Sequence, residues 1–335
     1  MLKKVALVYL VLPTLLFSQM AGTCFADPSV LLKQADAYKH NRSYEQAEAI
    51  YLGVIANYPG SNAALKAQKD LIAVYISAKK NGEAQAALNK LIADFSANPD
   101  LPAALCDVAT RYQFFTSTGQ RQWSDRYEAV KTIYQYLKQR YPNSSYAAQI
   151  RLDVPRYQIL SYAKAGDYSK TIAAIDSLIA DFSGNSDLLC VVSLAAEEYC
   201  LKGSQLEAKG LSSQARDCSQ KAAAIFEMVI SGFSDPVWTP RACCWAGDCY
   251  NKLGEYGRSI DCYQKTVDDY PGYSLAGHAL FMVGRNYESM EKSGLISKSE
   301  ADLKIRAVYE QLLEKYPACK MAKYVRHWLS RHKSK

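Results

Sequence analysis

Histidine is scarce in this chain, with four in 335 residues. His40 and His278 stand alone. His327 and His332 lie in the basic tail RHWLSRHKSK, where positive charge suits the end of a helix. No glycine-rich phosphate loop, nucleophile elbow or His-Glu-x-x-His pattern occurs, so the common phosphoryl-transfer, acyl-transfer and zinc-hydrolase signatures are missing. Paired carboxylates such as Glu197-Glu198 and Asp268-Asp269 read as helix-surface charge. Catalysis is not expected, and no cofactor is implied. Glycine (17) and proline (11) are modest, too few for the many turns of a β sandwich. The formal charge is +7. That is too mild and too dispersed for nucleic-acid binding.

Long apolar runs are also lacking, except at the start. Lys3 and Lys4 precede an apolar run from Val5 to Phe17, interrupted only by Pro13 and Thr14. Small and polar residues follow, and Ala26 precedes Asp27. This is the layout of a secretory signal peptide over residues 1–26. The run is too short for a membrane span, which takes ~20 residues. Removing Lys3 and Lys4 lowers the charge by two, from +7 to +5. A second export reading makes Cys24 a lipid-modified N-terminus. Its preceding Ala21-Gly22-Thr23 departs from the usual lipoprotein box. Either way the chain is expected to be exported, to the periplasm or cell envelope.

Cysteine is present at ten positions, but without Cys-x-x-Cys. Cys243, Cys244, Cys249 and Cys262 cluster in sequence. Structural zinc needs thiolates that converge. On a helix Cys243 and Cys249 are turned roughly 240° from each other, and Cys244 and Cys249 roughly 140°, so a zinc site is not expected. In a hairpin turning near residue 253, Cys243 and Cys262 lie at one height, which makes them a candidate disulfide in an exported protein. Cys200 and Cys218 stand in a similar relation. Nine cysteines outside the leader leave at least one unpaired within the chain.

What the chain does have is a recurring stop. Tyr58-Pro59, Tyr141-Pro142, Tyr270-Pro271 and Tyr316-Pro317 recur, with the weaker form at Phe95-Ser96, Phe182-Ser183 and Phe233-Ser234 between them. Successive aromatics are 37, 46, 41, 51, 37 and 46 residues apart, the period of a helical solenoid. Tyr256, Ile260, Tyr263 and Val267 follow each other at helical steps, and Gly254 suits the turn before them. Proline is expected to stop the second helix of each unit. Ser61, Ser144 and Ser274 are then placed to cap the next one. Pro155 interrupts an apparent helix over 144–165, which predicts a restart near Val154-Pro155 with Asp153 as cap.

Within residues 240–271 the chain resembles the tetratricopeptide repeat family. Gly247, Tyr250, Gly254, Tyr256, Tyr263 and Pro271 carry that resemblance, with Ser259 in place of the usual alanine. Ala35, Tyr38, Tyr44, Ala47, Tyr51 and Pro59 repeat the order in the first unit. The last unit, from Gly284 to Pro317, carries about nine extra residues, and the middle units are degenerate. The fold expected is all-α: a right-handed superhelical solenoid of about seven antiparallel hairpins plus a C-terminal capping helix. Hairpins are expected over 27–154 and again over 155–335, where the capping helix closes the array. Tyr-Pro stops followed by Ser-x-x-Ala starts also resemble the cell-envelope group of these repeats. That group includes the lipoprotein of the outer-membrane barrel-assembly machine and the periplasmic cell-division coordinator.

The resemblance implies a concave face lined by the first helix of each hairpin, here called the A helix. Candidate partner-binding residues there are Lys66 and Lys69 in the second unit, and Arg156 and Lys164 in the fourth. Arg241 and Lys252 follow in the sixth, then Phe281 and Arg285 in the last; Phe114 lies on the same face in the third. The excess of basic residues favours an acidic protein or peptide partner. The Lys/Asn carboxylate clamp of chaperone-binding members is not reproduced. The function implied is an exported, non-enzymatic scaffold. The alternative is an envelope-assembly lipoprotein tethered through Cys24 in an outer-membrane complex.

Overall fold

The computed structural model of the protein describes residues 27–113 and 123–332. The leader, with Cys24, lies outside the described residues, as does Phe114. The chain divides into two compact units, Met1–Phe114 and Phe115–Lys335. Among the described residues every regular element is helical.

The first unit holds α1 (Pro28–His40), α2 (Tyr44–Asn57), α3 (Asn62–Ser77), α4 (Asn81–Asp94) and α5 (Leu101–Gln113). The second holds α6 (Trp123–Arg140), α7 (Asp153–Ala165), α8 (Tyr168–Asp181), α9 (Leu188–Ala208) and α10 (Ser212–Gly232). It continues with α11 (Trp238–Leu253), α12 (Tyr256–Asp269), α13 (Ala276–Lys292), α14 (Lys298–Lys315) and α15 (Ala322–Arg331). Most helices adjacent in sequence pack together within each unit, as hairpins and between hairpins. This is the helical-repeat architecture the periodicity predicts.

The recurring aromatics mark where the second helix of a hairpin ends. Tyr58, Phe95, Phe182, Phe233, Tyr270 and Tyr316 are the C-caps of α2, α4, α8, α10, α12 and α14. Each donates its backbone N–H to the carbonyl four residues back, and Tyr141 does the same to Leu137. The next step is equally regular. Tyr58, Phe95, Tyr141, Phe182, Tyr270 and Tyr316 each accept from the N–H three residues on. The helix therefore stops at the aromatic itself, and the proline that follows lies in a turn already begun. A residue in the left-handed region closes the opposite turn of the hairpins: Gly166, Gly210, Gly254 and Gly294, but also Arg42 and Lys79 at φ 61°.

The caps differ from the sequence expectation in part. Ser61 does cap α3, its Oγ accepting from Ala64 N at 3.1 Å. Ser144 instead donates to the Tyr141 carbonyl, far ahead of the next helix. Ser274 yields the cap of α13 to Leu275. Residues 141–152 are turns, not helix, and α7 begins at Asp153 with Leu152 as its cap. Pro155 thus falls in the first turn of α7, where a proline sacrifices no helical hydrogen bond.

Packing within a hairpin rests on small residues facing tyrosines. A Cβ on Gly247 would lie 2.8 Å from the Tyr263 ring, and one on Gly284 would run into Tyr309. Tyr51, Tyr263 and Tyr309 are buried at the equivalent place in three hairpins. Burying such a side chain stabilises by about 1.5–3 kcal/mol. Their hydroxyls still find acceptors on the A helix. Tyr51 donates to Asp36 at 2.6 Å and Tyr263 to Asp248 at 2.5 Å. At the C-terminus Tyr309 meets Phe281, Tyr324 and Trp328 in one aromatic cluster. That cluster seats α15 on the last hairpin.

Candidate functional site

Within each unit the A helices of successive hairpins pack side by side: α1, α3 and α5 in the first, and α7, α9 and α11 in the second. Several of the charges expected to line an A-helix face tie neighbouring repeats together.

In the first unit Lys39 bridges Asp36 and Asp70, at 2.8 and 3.1 Å. Lys66 lies 3.6 Å from Asp36, and Lys69 2.6 Å from Asp107. Three lysines meet three aspartates, so this stretch of the face is balanced in charge. Burial alone would raise Asp36, but hydrogen bonds from Lys39 and Tyr51 and the charges of Lys39 and Lys66 hold its carboxyl below the usual range.

In the second unit Arg241 pairs with Glu197 of α9 at 2.6 Å and lies over the Trp238 ring. Arg285 pairs with Glu288 on its own helix. Phe281 is half-buried, stacked on Tyr309 with ring planes 7° apart, so it contributes mainly to packing. Lys164 and Lys252 are exposed, and neither has an ion-pair partner among the described residues. Lys252 stands at the rim of a cavity of about 590 Å³ that is also lined by Gly203, Ser204 and Ser219.

Arg156 is different. Its Nε is buried and has no hydrogen-bond partner. Ser193 on α9 is 1% exposed, and its Oγ also lacks a partner. Arg156 and Arg241 both act electrostatically on Cys190, one turn before Ser193, which places the two guanidinium groups around the same part of α9. Sequence reading reached Arg156 and Arg241 but not Ser193. The available signal was a lone hydroxyl in the otherwise apolar run LLCVVSLAA.

Among the described residues the cysteines are free thiols. Burial pushes Cys243 and Cys262 up to about 12 each. Cys244 lies 3.7 Å from the Thr266 hydroxyl. One thiol contact joins two repeats, with Cys200 of α9 3.6 Å from Cys249 of α11. No group of three or more metal-binding side chains is found among the described residues. None of the described helices is long and apolar enough to cross a membrane.

These features are those of tetratricopeptide repeats, and comparison with protein families agrees. Residues 29–61 and 240–268 match tetratricopeptide repeat models. Residues 108–243 match the outer membrane lipoprotein family YfiO. The chain thus carries tetratricopeptide repeats and an outer-membrane-lipoprotein-type segment, a combination that indicates a protein-interaction scaffold and suggests an envelope location. No curated protein matches the chain. Similar solved structures include a tetratricopeptide repeat protein from Parabacteroides merdae, at 10% identity and a TM-score of 0.31, covering 92% of this chain and 99% of that one. The TPR2AB domain of yeast Sti1 in its pHSP90 complex matches at 11% identity and 0.32, covering 92% and 98%. The C-terminal part of a repeat protein from Cytophaga hutchinsonii matches at 15% and 0.29, covering 88% and 98%. Likenesses this distant carry no conclusion about partners.

Proposed function

We propose that the protein is an exported, non-enzymatic scaffold of the cell envelope that binds a protein or peptide on its A-helix face. The observation that carries this reading is Arg156 of α7, part-exposed, whose Nε has no hydrogen-bond partner. The part-exposed guanidinium of Arg156 can donate to a partner's carboxylate, a charge-assisted contact. Arg156 and Arg241 both act on Cys190, and Lys164 stands at the end of α7, so an acidic segment is favoured. In the first unit Lys66 and Lys69 are neutralised by aspartates and are ranked lower as contacts.

The test is capture of the partner from a native envelope fraction with the wild-type chain and with Arg156→Glu plus Lys164→Glu. Loss of that partner with unchanged helical circular dichroism supports the reading. Equal recovery places binding on another surface.

The lipoprotein match over residues 108–243 favours a second reading, in which the scaffold is tethered through Cys24 as a subunit of an outer-membrane complex. Mass spectrometry of the mature N-terminus separates the two. A free amine on Asp27 supports the soluble scaffold, and a diacylated Cys24 supports the tethered one.

A further inference from the structure

We propose that Cys200 and Cys249 form a disulfide that locks the fifth repeat to the sixth, made by exchange with a disulfide-bearing oxidant and undone by thiols. The two sulfurs are 3.6 Å apart, in contact but not bonded. A disulfide brings them to about 2.05 Å, a closure that small side-chain rotations on two packed helices can supply. The partners come from α9 and α11, A helices of consecutive hairpins. This cross-link therefore differs in kind from the within-hairpin pair Cys243 and Cys262.

The surroundings divide the roles between the two thiols. Cys249 is 3% exposed, whereas Cys200 is partly open. The two thiols share a hydrogen bond in which either sulfur can donate; that contact lowers the Cys200 thiol and raises that of Cys249. Lys252 also favours the Cys200 thiolate, while Asp248 and Glu197 oppose it. The thiols of Cys106, Cys190, Cys218, Cys243, Cys244 and Cys262 are all raised by burial. The attacking species in exchange is the thiolate, so Cys200 is the entry point. One helical turn beyond the pair, Gly203 and Lys252 line the 590 Å³ cavity, which gives a small disulfide room to approach.

The exchange balances as follows. The Cys200 thiolate attacks one sulfur of the oxidant, whose other sulfur leaves as a thiolate and takes up a proton. Cys249 then loses its proton to solvent and attacks Cys200 Sγ, expelling the second oxidant sulfur. Two protein thiols give up two electrons and two protons, and one oxidant disulfide becomes two thiols. Glu197 and Arg241 pair across the same two helices, so the bond would fix the spacing of the face proposed to bind a partner. The proposal does not depend on that binding.

The test treats the full chain with oxidised glutathione and, in parallel, with dithiothreitol. The expected result is a loss of two titratable thiols and a tryptic link between peptides 171–202 and 242–252. Cys200→Ser and Cys249→Ser each abolish that link, while Cys190→Ser, Cys243→Ser and Cys244→Ser retain it. In Cys249→Ser, Cys200 is expected to hold glutathione as a stable mixed disulfide. Oxidation should raise the melting temperature of the wild-type chain, and reductant should reverse the rise. The wild-type peptide map decides the matter even where a variant folds poorly. An unchanged thiol count, a link surviving Cys200→Ser, or a first-formed link between Cys243 and Cys262 overturns the proposal.

Discussion

Replacing Gly247 with alanine tests the packing of the sixth hairpin with a single methyl group. In an open helix this change stabilises, because alanine outranks glycine by about 1 kcal/mol in helix propensity. Here the new Cβ would lie 2.8 Å from Cε2 and Cζ of Tyr263 and 3.0 Å from Cε1. The ring is not free to retreat. Its hydroxyl is held by Asp248 at 2.5 Å, and Ser259 on the same helix donates to the Gly247 carbonyl at 2.7 Å. Relief requires α11 and α12 to separate or the tyrosine to lose its bond to a carboxylate. Overpacking of this kind costs about 1–3 kcal/mol. Set against the propensity gain, the net loss is up to about 2 kcal/mol, or up to roughly 8 °C in melting temperature for a unit of this size. Gly53→Ala is the control. Gly53 lies inside α2 with nothing within 4 Å of its Cβ position, so alanine there should stabilise by about 0.5–1 kcal/mol. Thermal unfolding followed by circular dichroism reads both. A Gly247→Ala chain melting at or above the wild type would refute the close-approach assignment.

Three further outcomes are expected. Asp36 is held below the ordinary carboxylate range, so its contribution to stability is present above the unfolded-state pKa and is lost as pH falls through the folded one. Asp36→Asn should remove that part of the acid sensitivity, measured as melting temperature against pH between neutral and strongly acidic buffer. Ser61→Ala, which deletes the cap of α3, should cost about 1 kcal/mol in denaturant unfolding. Trp328 meets Tyr309 edge-on at 5.3 Å and stacks on His332 at 4.1 Å. Trp328→Ala should therefore cost about 3–5 kcal/mol and release amide exchange protection across residues 322–331, which an unchanged exchange pattern would contradict.

The repeat was legible because its signals are local. An aromatic C-cap, a turn and a new helix occupy a dozen residues, and Gly247 and Tyr263 occur at the same separation as Ala35 and Tyr51. The restart expected near Val154-Pro155 is present, since α7 begins at Asp153, but the stretch before it, with Tyr146, Ile150 and Leu152, is not helical. Their side chains are buried or half-buried in a turn segment, not along a helix face. The cysteines show the other limit. Reasoning within a hairpin pairs Cys243 with Cys262, because turn geometry fixes which residues share a height. Cys200 and Cys249 are 49 residues apart, about one repeat. Only the packing of α9 on α11 brings their equivalent turns together.

The A-helix face shows the same limit, with a consequence for function. A lysine next to a packing position reads as solvent-facing and therefore as available. The neighbouring repeat then supplies an aspartate that the sequence gives no reason to place there. Lys69 and Asp107 are 38 residues apart and 2.6 Å distant, and Arg241 and Glu197 are 44 apart. Exposed pairs of this kind contribute only about 0–1 kcal/mol each, so their main effect is to set how the A helices lie against each other. Reversing Lys66, Lys69 or Arg241 would change both those contacts between helices and the surface charge, and lost binding could not be assigned to either. Arg156 carries a different argument. It is part-exposed, its Nε has no hydrogen-bond partner, and no carboxylate of a neighbouring repeat forms an ion pair with it among the described residues. A partner carboxylate that meets its guanidinium therefore displaces no existing ion pair, whereas one that meets Lys69 or Arg241 must compete with Asp107 or Glu197.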